Sequence, residues 1–68
     1  MDYIKRMEQE LGDLLERAEK LQRFINTTPE LDRKDSNMMY AQLCLMEGYI
    51  DVLAKRIYYA KEKNLSGR

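Results

Sequence analysis

The fold is decided by residues 3–25, YIKRMEQELGDLLERAEKLQRFI, in which apolar side chains recur at alternating intervals of three and four. An α-helix has about 3.6 residues per turn, so this spacing places the apolar side chains on one face. That face consists of Ile4, Met7, Leu11, Leu14, Ala18, Leu21 and Ile25. The pattern is typical of a helix that packs along its length against a second helix.

A second long helix is predicted over about residues 33–63. Its apolar seam has the same alternating spacing and consists of Met39, Leu43, Met46, Ile50, Leu53, Ile57 and Ala60. This seam is the natural partner for the first one, because two helices with apolar stripes bury both stripes by packing side by side.

The segment between the two seams, over about residues 26–32, interrupts the pattern. Asp32, with a second acid three residues later at Asp35, is typical of the start of a helix. A connection this short makes the helices antiparallel neighbours. We therefore expect an all-α protein, an antiparallel two-helix hairpin forming a single domain over residues 1–68, with a frayed tail at residues 64–68.

The second helix has more apolar side chains than one partner helix covers. Beside the seam lies a further apolar row with seven-residue spacing, which consists of Met38, Leu45, Val52 and Tyr59. A wide exposed apolar surface usually marks an interface, so we expect a homo-oligomeric helical bundle, a dimer or higher. The predicted oligomer interface comprises Met38, Gln42, Leu45, Tyr49, Val52 and Tyr59.

The composition narrows the possible sources of stability and chemistry. The chain has 68 residues, one cysteine and no histidine, and a domain of this size is marginal by itself. No disulfide within the chain, no metal site and no cofactor are expected, so subunit association is the expected source of added stability. Cys44, among apolar residues, is interpreted as a small packing residue. Without histidine or a Gly-rich phosphate loop, we expect no enzymatic activity.

The charges balance overall, with twelve cations and twelve anions, but they are unevenly distributed. Residues 55–68 contain five cations and one anion, whereas residues 8–54 contain five cations and ten anions. The overall balance argues against duplex nucleic acid as a partner, because phosphate binding needs an excess of cations. Residues 55–68 are the exception, because they carry the needed excess of cations.

Membrane insertion and secretion are not expected from this sequence. No apolar run approaches the roughly 18 residues of a membrane span. The first residues are charged and amphipathic, unlike a signal peptide. We therefore expect an intracellular protein.

The basic end, AKRIYYAKEK at residues 54–63, combines tyrosines with cations. In an antiparallel hairpin the beginning of the first helix lies beside it. Tyrosine rings stack on nucleobases, and arginine binds phosphate oxygens through paired hydrogen bonds. The candidate ligand-binding residues are Tyr3, Lys5, Arg6, Tyr49, Lys55, Arg56, Tyr59 and Lys63. A structural interpretation stays open, because cations stabilise helix C-termini and tyrosines are common in subunit interfaces.

Residues 42–57, QLCLMEGYIDVLAKRI, resemble small helical-hairpin proteins of bacteriophages, including those of crAss-like phages. The resemblance lies in Gln42-Leu43, Met46, Tyr49, Leu53 and Arg56-Ile57, and the first helix is similar in style. Such hairpins are similar to the anti-CBASS sponge family and to the hairpin part of an anti-Thoeris sponge family.

The resemblance implies a homo-oligomer, with a hexamer among the possible assemblies, that sequesters a cyclic nucleotide or cyclic ADP-ribose signal without degrading it. It also implies action in the cytoplasm of the infected bacterial host, as a means of immune evasion. Two other classes stay open. One is a coiled-coil interaction module, an adaptor or inhibitor that docks its apolar row on a host protein, and the other is a single-stranded nucleic-acid binder.

Overall fold

A computed structural model describes the backbone of residues 2–66 and the exposure of the side chains of residues 3–63. Within that range the chain is all-helical, as predicted. It forms α1, Asp2–Thr27, and α2, Arg33–Ser66, and the two helices pack against each other. The resulting hairpin is a rod with overall dimensions of 56 × 15 × 13 Å.

Both predicted seams lie in the contact between the helices. Every seam residue of α1 and α2 is buried or half-buried. The most complete packing is near the open end of the hairpin, where Leu53 has no exposed surface. It shares a core cluster with Ile4, Met7, Leu14, Ile57 and Ala60. Burial of these apolar side chains is the main force that holds the helices together.

The connection consists of residues 28–32, and the predicted cap at its end is confirmed. The carboxylate of Asp32 accepts a hydrogen bond of 2.8 Å from the backbone N–H of Asp35. The carbonyl of the same residue accepts one of 2.9 Å from the N–H of Ser36. These bonds satisfy donors that the first turn of a helix leaves without partners, so they define where α2 begins.

Both helices extend beyond their predicted ends. α1 continues to Thr27 rather than residue 25, and the Thr27 hydroxyl donates a 2.8 Å hydrogen bond to the carbonyl of Arg23 within the last turn. α2 continues to Ser66 rather than residue 63, since residues 64–66 contain neither proline nor glycine to end the helix. Part of the predicted frayed tail is therefore helical, and the rest, residues 67 and 68, lies outside the described residues together with residue 1.

The further apolar row of α2 lies on the surface of the hairpin. The exposed fractions are 62% for Met38, 76% for Leu45, 53% for Val52 and 62% for Tyr59. Gln42 and Tyr49, the other two residues of the predicted oligomer interface, are also exposed. The hairpin alone therefore leaves this surface in contact with water.

Two further findings concern the chain as a whole. Cys44 is exposed, so its interpretation as a packing residue was wrong: it lies on the side of α2 that faces away from the seam. Neither of the two helices, over the residues described, has the length and apolar character needed to cross a membrane.

Candidate functional site

Two grooves lie along one edge of the hairpin, between the flanks of α1 and α2. The end groove, near the open end of the hairpin, has a volume of 190 Å³ and is lined by Tyr3, Met7, Arg56, Tyr59, Ala60 and Lys63. The central groove has a volume of 390 Å³ and is lined by Arg6, Gln9, Glu10, Asp13, Leu14, Arg17 and Tyr49. Tyr49, Arg56 and Lys63 are seven residues apart on α2, so they share one face of that helix.

The end groove combines an apolar floor with aromatic and cationic walls. Met7 and Ala60 form the floor and are buried in the core, whereas Tyr3 and Tyr59 are exposed. The Lys63 ammonium lies 5.7 Å from the centre of the Tyr59 ring, within range of a cation–π interaction. Its described lining includes two cations and no carboxylate, so the groove is suited to an anion with a flat aromatic part.

The cations at the basic end divide into two groups. Lys55 binds the carboxylate of Asp51 at 3.0 Å, and Lys61 binds that of Glu8 on α1 at 2.6 Å. Arg56 and Lys63 form no salt bridge with the described side chains. Among the described cations of residues 54–63, the two without a salt bridge are thus the two that line the end groove.

The two adjacent tyrosines of the basic end also differ in their contacts. The Tyr58 hydroxyl donates a 3.0 Å hydrogen bond to Glu62, one turn further along α2. Tyr59 lines the end groove. Neighbouring residues on a helix are about 100° apart around its axis, so one tyrosine lies on the helix surface and the other on the groove.

The central groove has a mixed charge and contains a contact between the helices. Its described lining includes two arginines and two carboxylates. The Tyr49 hydroxyl donates a hydrogen bond to Glu10. This bond raises the pKa of Tyr49 above its ordinary value, with smaller contributions from desolvation and from the negative charge of Glu10.

Loss of the Tyr49 phenol is expected to flatten the stability profile at alkaline pH. Because the folded state raises the Tyr49 pKa, the bond stabilises the hairpin below the unfolded value of about 10 and is lost as pH rises through the folded value. Wild type and Tyr49→Phe are each titrated with alkali and followed by ultraviolet absorbance. The difference between the two curves isolates the Tyr49 phenol, which should ionise above the ordinary pKa of a tyrosine. Ionisation at or below the ordinary pKa would show that the bond to Glu10 does not form.

The structure brings together six of the eight predicted ligand-binding residues along this edge. Tyr3, Arg56, Tyr59 and Lys63 line the end groove, and Arg6 and Tyr49 line the central groove. Lys5 and Lys55 line neither. The sequence reasoning missed Gln9, Glu10, Asp13 and Arg17. Their spacing along α1, one turn apart and beside the seam, could have indicated that they share a flank.

The fold and its grooves define a class: a small helical hairpin whose surface features are suited to binding. The chain belongs to the Sequestin family, whose model matches residues 1–59. No curated protein and no solved structure gives a significant match. The family name indicates a sequestering role, that is, a binding protein rather than an enzyme. The matched range includes Tyr3, Arg56 and Tyr59 of the end groove, and Lys63 lies beyond it.

Proposed function

We propose that this chain is a phage counter-defence sponge that binds a bacterial immune signal and does not degrade it. The signal is a cyclic nucleotide-type molecule, either a cyclic oligonucleotide or a cyclic ADP-ribose isomer, and the site of action is the cytoplasm of the infected host. The observation that carries the proposal is the end groove, where two cations that form no salt bridge with any described carboxylate lie beside two exposed tyrosines.

Each wall of the end groove has a distinct task in this proposal. Arg56 binds phosphate oxygens through its paired donors, and Lys63 adds a mobile positive charge. Tyr59 and Tyr3 stack on the base, an interaction worth about 1–3 kcal/mol for each base. Arg6, one turn along α1 from Tyr3, assists from the central groove. Lys5 and Lys55 are left out of the proposed site, since they line neither groove.

The size of the end groove supports a site shared between subunits. Its volume of 190 Å³ is below the roughly 300–1,000 Å³ typical of small-molecule sites. The predicted interface row adjoins it, because Tyr59 belongs to both. Assembly through Met38, Gln42, Leu45, Tyr49, Val52 and Tyr59 would place a second chain beside the groove and enclose the ligand further.

Thermal melts with a ligand panel test the proposed function directly. The panel contains cyclic dinucleotides, cyclic trinucleotides and cyclic ADP-ribose isomers. A ligand present at about 100 times its dissociation constant adds about 2.7 kcal/mol of stability, which corresponds to a rise of at least about 10 °C in a domain this small. The bound molecule should be recovered unchanged after heat release. The absence of a shift with every member would overturn the proposal.

A protein-interaction module is the second candidate, and the exposed apolar row favours it. Leu45 is 76% exposed and Met38 is 62% exposed, so the row is available to a host protein if no second copy covers it. Sedimentation velocity separates the two functions. A stable monomer that binds no panel member would support docking on a host protein, whereas a homo-oligomer that covers the row would argue against it.

A further inference from the structure

A second packing seam lies along the face of α2 that α1 does not cover. This seam contains the exposed apolar row of Met38, Leu45, Val52 and Tyr59, together with one residue between each pair of neighbours in that row. The seam consists of Met38, Ala41, Leu45, Gly48, Val52, Lys55 and Tyr59, and all seven residues are exposed. Their alternating spacing of three and four is the spacing of a helix that packs against another helix.

Gly48, at the middle of this seam, is not explained by the hairpin itself. A Cβ atom added there would meet nothing within 4 Å, so no internal contact requires the glycine. Glycine weakens a helix relative to alanine, and it permits close approach of another backbone. The large side chains of Leu45 and Val52 flank it on the same seam, so a second helix that approaches here meets alternating large and small positions.

We propose that this seam packs against the same seam of a second copy, with the two α2 helices antiparallel. In this arrangement Leu45 faces Gly48 of the second copy, and Val52 faces Ala41 of the second copy. Two-fold symmetry makes each pairing occur twice. Every large side chain at the centre of the interface therefore lies opposite a small one, which allows dense packing.

The opposite orientation fits less well in both size and charge. A parallel pair would place Gly48 against Gly48 and Ala41 against Ala41, leaving gaps beside crowded layers of Leu45 and Val52. It would also bring Lys55 against Lys55. The antiparallel pair instead places Lys55 opposite Met38, whose side chain packs against the aliphatic part of the lysine.

The antiparallel orientation also changes the surroundings of the end groove. This part of the inference rests on the proposed function. The beginning of α2 in the second copy comes beside Tyr59, and Lys34 of that copy occupies the facing position of the seam. The end groove thereby gains a third cation from the second chain. Each dimer would have two such composite sites, at opposite ends of the paired helices.

Disulfide trapping without ligand tests the orientation. All variants are made in a Cys44→Ala background, because the native thiol is exposed. A tagged Ala41→Cys chain is mixed with an untagged Val52→Cys chain and oxidised. The two positions face each other in the antiparallel pair, within the roughly 4.4–6.8 Å between Cα atoms that a disulfide requires. We expect cross-linked heterodimers. Two copies of position 41 would be about 16 Å apart at 1.5 Å per residue, so neither chain should cross-link with itself.

Two results would overturn the arrangement. Homodimers of Ala41→Cys alone would show a parallel pair, and the absence of any cross-link would show that this seam does not bind a second copy. Both positions are exposed, so the variants should keep the hairpin.

As a second readout, Gly48→Trp should weaken self-association at least tenfold, whereas Gly12→Trp should not, since Gly12 lies in equally open space but off the seam. Equal effects of the two substitutions would count against the proposal.

A separate variant tests the composite site. Lys34→Ala should weaken binding of a cyclic dinucleotide or cyclic ADP-ribose at least fivefold and leave cross-linking intact, and Lys20→Ala on α1 should change neither. Cross-linking that succeeds while no panel member binds would overturn the proposed function and keep the dimer. Binding that succeeds without cross-linking would overturn the dimer and keep the function.

Discussion

Replacement of Leu53 by alanine is expected to cost about 2–5 kcal/mol and to lower the melting temperature by at least about 8 °C. Leu53 has no exposed surface and lies in the cluster that joins the two helices near the end groove. Its removal leaves a cavity that neighbouring side chains fill only partly. A domain of this size has little stability in reserve, so the variant should be largely unfolded at 37 °C. Circular dichroism melts measure the effect.

Leu15→Ala is the matched control for that prediction. The same substitution is made on α1 at a residue that is 51% exposed, where the expected change is within about 0.5 kcal/mol. The comparison separates burial from helix propensity, because alanine is the better helix former at both positions. A melting temperature for Leu53→Ala within 2 °C or so of the wild type, similar to the control, would show that the described core does not hold the hairpin together.

Replacement of Arg56 by alanine is expected to weaken binding of the responsive panel member about 10- to 150-fold. Hydrogen bonds to charged groups contribute about 1.5–3 kcal/mol, and Arg56 has no carboxylate partner among the described side chains that would compete with a phosphate. Its side chain lies on the surface of α2, so the hairpin itself should remain folded. Isothermal titration calorimetry measures the loss, and circular dichroism checks the fold.

Lys61→Ala is the control for Arg56→Ala. Lys61 lies on the same basic end but binds Glu8 of α1 rather than lining the end groove. Removal of this exposed pair should change stability by less than about 1 kcal/mol and should leave the affinity unchanged. Equal losses in the two variants would mean that the basic end attracts the ligand only through its general charge. Unchanged affinity in Arg56→Ala would remove the end groove from the site.

Much of the fold was predictable, because the spacing of apolar residues within each helix indicates which face of that helix is buried. The spacing of three and four residues predicted both seams, and the structure buries or half-buries every residue of them. The start of α2 was predictable for a local reason, since Asp32 supplies the cap within its own turn. The ends of the helices were less predictable, because the apolar spacing stops before the helices do: α1 continues two residues past Ile25, and α2 continues three residues past Lys63.

The candidate site was predictable only in part. Residue types and helical spacing indicated Tyr3, Arg56, Tyr59 and Lys63, which the structure gathers around the end groove. The same reasoning also selected Lys55, which instead binds Asp51. Spacing assigns a residue to a face of its own helix, but it does not say which charged neighbours compete for it.

By itself, the sequence determined two amphipathic helices, the faces by which they pack and the surplus apolar row on α2. Only the tertiary structure decided which flank of α1 meets which flank of α2. A two-helix hairpin can turn in either direction, and the apolar spacing of its two seams does not distinguish between them. The observed hand places Tyr49 against Glu10 along the edge that contains the two grooves, and it places Lys61 against Glu8. Long-range pairs of this kind depend on the path of the connection, which no local pattern encodes.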